Sequence, residues 1–299
     1  MYKKDWTMSI STFKELRQAC IDENKTIWEL TLEEDSQHSD MKIEDIRANV
    51  LMHIEVMKET IKTGMTSTEK SISNWCGDDC VRLIERYKNK KALFGKLFEK
   101  IITYALSTSE ENLRMGRIVA CPTAGSCGIV PSVLVAFSEE NNLSKDEQVN
   151  FLITAGKVGS IISNKVQLAG AVAGCQAECG VAAAMCAGGL AQAMGGDIDE
   201  ILNAVALAMK NLLGLSCDPV CGLVEVPCIK RNPILAIHAV TATELALAGI
   251  ESKIPVDEVI DAMRQTGQLM SPMLKESSQA GLATTKTALE LKAKIFPEG

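Results

Sequence analysis

Residues 42–64 read KIEDIRANVLMHIEVMKETIKTG, and within them Ile43, Ile46, Val50, Ile54, Met57 and Ile61 fall three or four places apart. That spacing follows the turn of an α-helix and lays one apolar stripe along it, so the segment predicts an amphipathic helix. The same pattern repeats down the chain. Ser144 with Glu147 forms a capping-box pattern ahead of Val149, Leu152 and Ile153, and Asp197 with Glu200 does so ahead of Ile201, Leu202, Val205 and Leu212. Pro255 falls at a first-turn position before Val256, Val259, Ile260 and Met263. Pro233 reads as the opening of a helix that runs to Leu247, with Gly249 past its end. Only Leu223 to Cys228 alternates in a strand-like way, and it is short. The expected fold class is all-α, a multi-helix globular domain with buried Ala/Gly-rich helices.

The chain has 299 residues, enough for one large domain or two ordinary ones. Hydrophobic residues make up 46% and charged residues 23%, which excludes a disordered or fibrous chain. Residues 1–92 are polar and charged and end in Tyr87-Lys88-Asn89-Lys90-Lys91, whereas the chain beyond is rich in Ala and Gly. The shift predicts an N-terminal helical region over 1–92 against a densely packed core over 93–299, with no internal repeat. A net charge of −7 argues against nucleic acid or an anionic membrane as partner. Aromatic residues, at 4%, leave few platforms for stacking bases.

Met1 to Ser11 carries Lys3, Lys4 and Asp5 without an apolar run, so no secretory signal is expected there. The uncharged stretch after Glu178 is dominated by Ala and Gly and is too weakly apolar to span a membrane. A cytoplasmic protein is expected. Thiols stay reduced in that compartment, so eleven cysteines point to metal, cluster or catalytic use more than to disulfides.

Three cysteines stand beside Gly or Pro. Cys175 lies in Gly174-Cys175-Gln176-Ala177-Glu178, Cys217 in Cys217-Asp218-Pro219-Val220, and Cys228 in Val226-Pro227-Cys228-Ile229-Lys230-Arg231-Asn232. Helix boundaries of this kind suit ligand thiols, because the backbone turns to aim sulfur at a common point. The same cysteines also read as small buried hydrophobes, the common state of free Cys in an Ala-rich core. The loop Cys121-Pro122-Thr123-Ala124-Gly125-Ser126-Cys127-Gly128 precedes an apolar segment. It admits two readings: an anion cradle of backbone N–H groups at a helix start, or an ordinary turn with a cap. Of the three histidines, His53 falls on the 42–64 helix and His238 in an apolar helix, a setting that suits a satisfied packing residue more than a ligand. No Ser-His-Asp arrangement or His-Glu-x-x-His motif appears.

These motifs resemble the α chain of the iron–sulfur-dependent L-serine dehydratases (L-serine ammonia-lyases). The run Pro122-Thr123-Ala124-Gly125-Ser126-Cys127-Gly128-Ile129-Val130-Pro131 carries the likeness, together with the three cysteine motifs in this order. So do Ile254–Met263, Lys275-Glu276 and Gly281-Leu282-Ala283. The resemblance implies that Cys175, Cys217 and Cys228 hold a [4Fe–4S] cluster whose fourth iron has no protein ligand and acts as a Lewis acid on the hydroxyl of L-serine. It also implies that Thr123, Ala124, Gly125 and Ser126 bind substrate. Lys230 and Arg231 either neutralise charge at the site or form a surface pair near a partner. The general base is expected on a β subunit that carries the complementary substrate loop.

Departures temper the likeness. The family usually reads Asn-Ala-Ser-Ile-Ser-Gly where this chain has Lys165-Val166-Gln167-Leu168-Ala169-Gly170. That leaves room for another hydroxy-amino acid as substrate. Cys127, Cys179 and Cys221 stand where small apolar residues are usual, and they read as packing substitutions. Cys175/Cys179 and Cys217/Cys221 are nevertheless both C-x-x-x-C pairs, which would face one way on a helix. A pyridoxal-phosphate dehydratase is a rival reading, with Lys157 as its Schiff-base candidate, but the helical pattern opposes its α/β fold. A zinc-binding helical scaffold is a non-enzymatic rival.

Overall fold

The computed structural model describes residues 10–297. The polar residues 1–9, where no secretory signal was expected, lie outside that range. Among the described residues there are thirteen α-helices and no strand: α1 (Phe13–Glu23), α2 (Ile27–Ser39), α3 (Ile43–Gly64), α4 (Asp79–Asn89), α5 (Lys96–Leu113), α6 (Ile129–Asn141), α7 (Lys145–Ser163), α8 (Gly170–Ala173), α9 (Cys175–Ala193), α10 (Ile198–Lys210), α11 (Cys228–Leu247), α12 (Val256–Leu269) and α13 (Lys286–Ile295). None is long and apolar enough to cross a membrane.

Local sequence explains most boundaries. α3 spans the striped segment, burying Ile54, Met57 and Ile61. Ser144 and Glu147 close a reciprocal cap at the start of α7, and Asp197 and Glu200 do so for α10, each satisfying otherwise orphaned backbone donors. Pro255 is the N-cap of α12, one place before its first turn.

Two sequence expectations are corrected. α11 begins at Cys228, so Pro233 lies inside the helix and does not open it. A proline there removes one intrahelical hydrogen bond, and the helix start is held instead by Asn232, whose Nδ2 donates to the Cys228 carbonyl at 3.2 Å. Leu223 to Cys228 forms turns closed by Glu225 N–H to Leu223 O at 2.7 Å and Val220 N–H to Val226 O at 2.9 Å. Among the described residues no strand lies beside it to use the alternation. The isolated bridge found among the described residues joins Cys217 to Lys275.

The core is built on α9. Its residues Val181 to Ala184 and Cys186 to Ala191 are buried, and small side chains let α7, α10 and α11 approach on several sides. A Cβ on Gly188 would lie 3.0 Å from Val158 and 3.1 Å from Val205, and one on Gly189 would lie 2.7 Å from the Phe151 ring. Helices from the polar N-terminal part join this packing, with α2 and α3 on α7, and α3 on α5. One apolar core runs from Phe13 to Met263. The construction leaves the N-termini of α9 and α11 at one end of the bundle, facing the loop before α6.

Candidate active site

Cys175 is the first residue of α9 and Cys228 the first of α11, so both sulfurs sit at helix starts. The chain enters α9 through Gly174, whose φ of 77° and contact to the Leu215 carbonyl, 2.9 Å from an added Cβ, admit only glycine. Gln176 ties this start to the loop that carries Cys217. Its backbone N–H donates to Leu215 O at 3.0 Å and its side-chain Oε1 accepts from Gly214 N–H at 2.9 Å. Cys217 is pinned by its own N–H to Leu274 O at 2.8 Å and by Glu276 N–H to Cys217 O at 2.7 Å. The buried Asp218 then accepts from Arg231 at 3.1 Å and from Leu282 N–H at 2.9 Å, holding three segments together.

Folding therefore gathers thiols that are 42 and 11 residues apart in sequence. Cys175 stands within hydrogen-bond reach of Cys179 and Cys217. Those S–H donors, with the Arg231 guanidinium close by, stabilise its thiolate and pull its pKa well below the ordinary value. Cys179 and Cys217 move the opposite way, because their protons serve that thiolate. Burial, with the Cys175 charge adding to it, pushes the Cys228 thiol up to about 12. Among the described residues, one group of metal-ligand side chains converges with donor atoms within 4.8 Å of one another: Cys175, Glu178 and Cys179.

A cleft of about 340 Å³ opens beside Cys217 and Cys228. Thr123, Ala124 and Gly125 form one wall, Ala169 and Gly170 another, and Asn112, Glu178, Cys217, Pro219, Val224, Cys228 and Glu276 complete the lining. The Thr123 hydroxyl donates to Glu178 Oε1, and Glu178 Oε2 lies 4.0 Å from Cys175 Sγ. Burial raises the Glu178 carboxyl to about 6, opposed by the Thr123 hydrogen bond and reinforced by negative charge at Cys175 and Glu276.

The expected site residues divide. Thr123, Ala124 and Gly125 face the cleft, but Ser126 is fully buried behind them, its hydroxyl 3.2 Å from Cys121 O. Gly128 N–H is not open to an anion, because it donates to Asn232 Oδ1 at 2.9 Å. Arg231 stands near Cys175 and also donates to Ser216 O at 2.9 Å. Lys230 turns elsewhere: its ammonium lies 2.5 Å from Asp79 and 2.9 Å from Cys76 Sγ, fastening the segment before α4.

The two C-x-x-x-C pairs also part company. Cys175 and Cys179 share a face of α9, but Cys217 to Cys221 is not helical. Cys221 adopts a φ of 59°, and its sulfur points to Ala288 O in α13 at 3.8 Å. Cys127 packs under the loop toward Thr108 O at 3.9 Å. His238 is half-buried and satisfied by Ala208 O at 2.8 Å, and His53 is exposed on α3 with Asn49 O at 2.9 Å. Sequence reading missed Glu178, Glu276, Asn112 and Asn232. Glu178 was detectable as the residue one helical turn after Cys175; Lys275-Glu276 stood out only through the family likeness, since Glu276 reaches the cleft by a chain crossing.

The family model for the serine dehydratase alpha chain matches residues 22–283. The chain is 40% identical over 283 residues to a probable L-serine dehydratase alpha chain of Bacillus subtilis, covering 95% of this chain and 94% of that one. It is 37% identical over 290 residues to the L-serine dehydratase alpha chain of Peptoniphilus asaccharolyticus, covering 97% and 99%. The L-serine dehydratase of Helicobacter pylori is 38% identical over 288 residues, a match that spans 92% of this chain and 61% of that protein. A family model matching most of the chain, and near-complete coverage of alpha chains from two organisms, place this chain in the serine dehydratase alpha chain family.

Proposed function

We propose that this chain is the cluster-bearing α subunit of a cytoplasmic lyase that converts L-serine to pyruvate and ammonia. The observation that supports the reading is a cleft lined by Cys217 and Cys228 and walled by Thr123–Gly125 and Glu178, with Cys175 within hydrogen-bond reach of Cys217. The donor set fits an iron–sulfur group: Cys175 and Cys217 are buried and Cys228 half-buried, the thiols come from three segments, and a guanidinium lies beside them to offset thiolate charge. Cys175, Cys217 and Cys228 would hold a [4Fe–4S] cluster, which when bound supplies Lewis-acid chemistry at an iron without a thiolate ligand.

The chain's own residues have separate tasks. The Thr123–Gly125 wall receives the substrate carboxylate, with Ser126 and Asn232 holding the loop's shape. Arg231 offsets the negative charge of Cys175. Elimination also requires removal of the Cα proton, and no histidine of this chain is near the cleft, so the base is assigned to a β subunit. The alpha-chain names of the relatives support a partner, as does the Helicobacter pylori L-serine dehydratase, which extends well beyond the matched region.

A related substrate is the second reading, favoured by one observation. Ala169 lines the cleft where the family pattern carries a serine, so a methyl group replaces a hydroxyl at the wall. Comparing L-serine with L-threonine as substrates separates the two readings.

The test is metal analysis after anaerobic reconstitution with iron and sulfide. Iron with acid-labile sulfide in the wild type, and its loss in Cys175→Ala, Cys217→Ala and Cys228→Ala, is the expected outcome. Normal content in any one of the three removes that residue from the ligand set. Zinc without sulfide would instead identify a structural metal site at Cys175, Glu178 and Cys179.

A further inference from the structure

Cys228 sits between two residues that bind one segment far earlier in the chain. Three places before it, Glu225 is 2% exposed, and its carboxyl group accepts from the Ser71 hydroxyl at 2.6 Å and from the Ser73 hydroxyl. Two places after it, the Lys230 ammonium lies 2.5 Å from Asp79 and 2.9 Å from Cys76 Sγ. The thiol is thus bracketed by contacts to residues 71–79. Within that segment Ser71 and Ser73 are buried, whereas Ile72 between them is 84% exposed. The usual arrangement of apolar side chains inward and polar ones outward is inverted there, so hydrogen bonding and not apolar burial holds the segment to Glu225.

Residues 71–79 have a frame of their own. Ser71 N–H donates to Cys76 O at 3.0 Å, and Asn74 N–H donates to Ser71 O at 2.9 Å. Gly77 has a φ of 114° and no room for a Cβ beside Glu69 O. The buried Glu110 of α5 accepts from Gly77 N–H at 3.0 Å and from Asp79 N–H at 2.8 Å, which ties the segment to a core helix. Residues 223–227, by contrast, lie in turns, and α11 starts only at Cys228. A thiol at that boundary takes its direction from whatever fixes the turn before it and the first helical turn after it. Resting on the reading of Cys228 as a cluster ligand, we propose that residues 71–79 are a latch for that thiol. Ser71 and Ser73 act through Glu225, and Asp79 acts through Lys230, as positioning residues that hold Cys228 at the cleft. A ligand held in place before the metal arrives loses less freedom on binding, and it swings away less often afterwards.

The experiment has two arms on the full chain. In the reduced, cluster-free chain, alkylation of Cys228 by iodoacetamide is timed by peptide mass mapping, with the half-buried Cys221 as internal reference. The double variant Ser71→Ala/Ser73→Ala should speed modification of Cys228 severalfold and leave Cys221 unchanged. Glu225→Ala should behave like the double variant. Glu225→Gln, whose amide oxygen accepts from one hydroxyl and whose amide nitrogen donates to the other, should stay near the wild-type rate. Lys230→Ala, at a half-exposed position, opens the other end of the latch and should act in the same direction. In the anaerobically loaded chain, the double variant should lose iron to a chelator roughly tenfold faster, as expected when a supporting partner of a metal ligand is removed. Gly189→Ala, which disturbs the core away from the latch, should not. Cys228 rates unchanged in both the double variant and Lys230→Ala, or iron loss accelerated equally by Gly189→Ala, overturn the proposal. A wild-type chain that takes up no iron and sulfide, while Cys228 still responds to the latch variants, would instead overturn the cluster reading and leave the latch standing.

Discussion

Asn232 is the residue that fixes the shape of the Thr123–Gly125 wall. Its carboxamide accepts from Gly128 N–H and donates to Gly125 O, both at 2.9 Å, from a nearly fully buried position. Replacing it with alanine strands a buried donor and a buried acceptor. Asn232→Ala should therefore destabilise the chain by about 2 kcal/mol, read by urea unfolding, and should raise KM for serine more than it alters iron content. The cysteines argue in the same way. Cys127→Ala and Cys221→Ala should keep full iron and sulfide, because their sulfurs face Thr108 and Ala288 and not the cleft. At this scale the turns around the cysteines were legible in sequence, since Gly and Pro near a cysteine mark a helix boundary, as at Cys175 and Cys228. The direction of Lys230 was not, because two adjacent helical residues point about 100° apart and its partners, Cys76 and Asp79, are remote in sequence.

α9 carries the fold through small residues. Gly189 lies against Phe151 of α7 with no room for a methyl group, whereas Gly156 of α7 has nothing within 4 Å of an added Cβ. The two glycines should thus respond oppositely. Gly189→Ala should destabilise by about 1–3 kcal/mol through overpacking. Gly156→Ala should stabilise by about 0.5–1 kcal/mol by removing backbone freedom from the unfolded chain. Thermal unfolding of both variants checks the sign. The helices with caps and stripes, α3, α7 and α10, were legible from sequence because local chemistry alone sets their limits. α11 was not, because its start depends on Asn232 bonding to the Cys228 carbonyl and to a loop more than a hundred residues away. The alternation of 223–228 misled for a similar reason: a strand exists only where another strand can pair with it.

For the whole molecule, the all-α class followed from helical periodicity throughout the chain, but the cleft did not, since it forms where α9, α11 and the segments around 123, 217 and 276 meet. The open cleft also bears on handling. An iron that substrate can reach is reachable by oxidants, so air should inactivate the loaded enzyme and release iron, measured as pyruvate formation and bound iron before and after exposure. The central claim is that this chain supplies the cluster and the substrate walls while a partner supplies the base. The direct measurement is pyruvate formation from L-serine by the anaerobically reconstituted chain, alone and with its β subunit. General base catalysis contributes about 10²–10⁴-fold in rate, so the chain alone should turn over negligibly and the pair should turn over readily. Robust turnover by the chain alone would contradict the assignment of the base to the partner, and no pyruvate from the cluster-loaded pair would contradict the function itself.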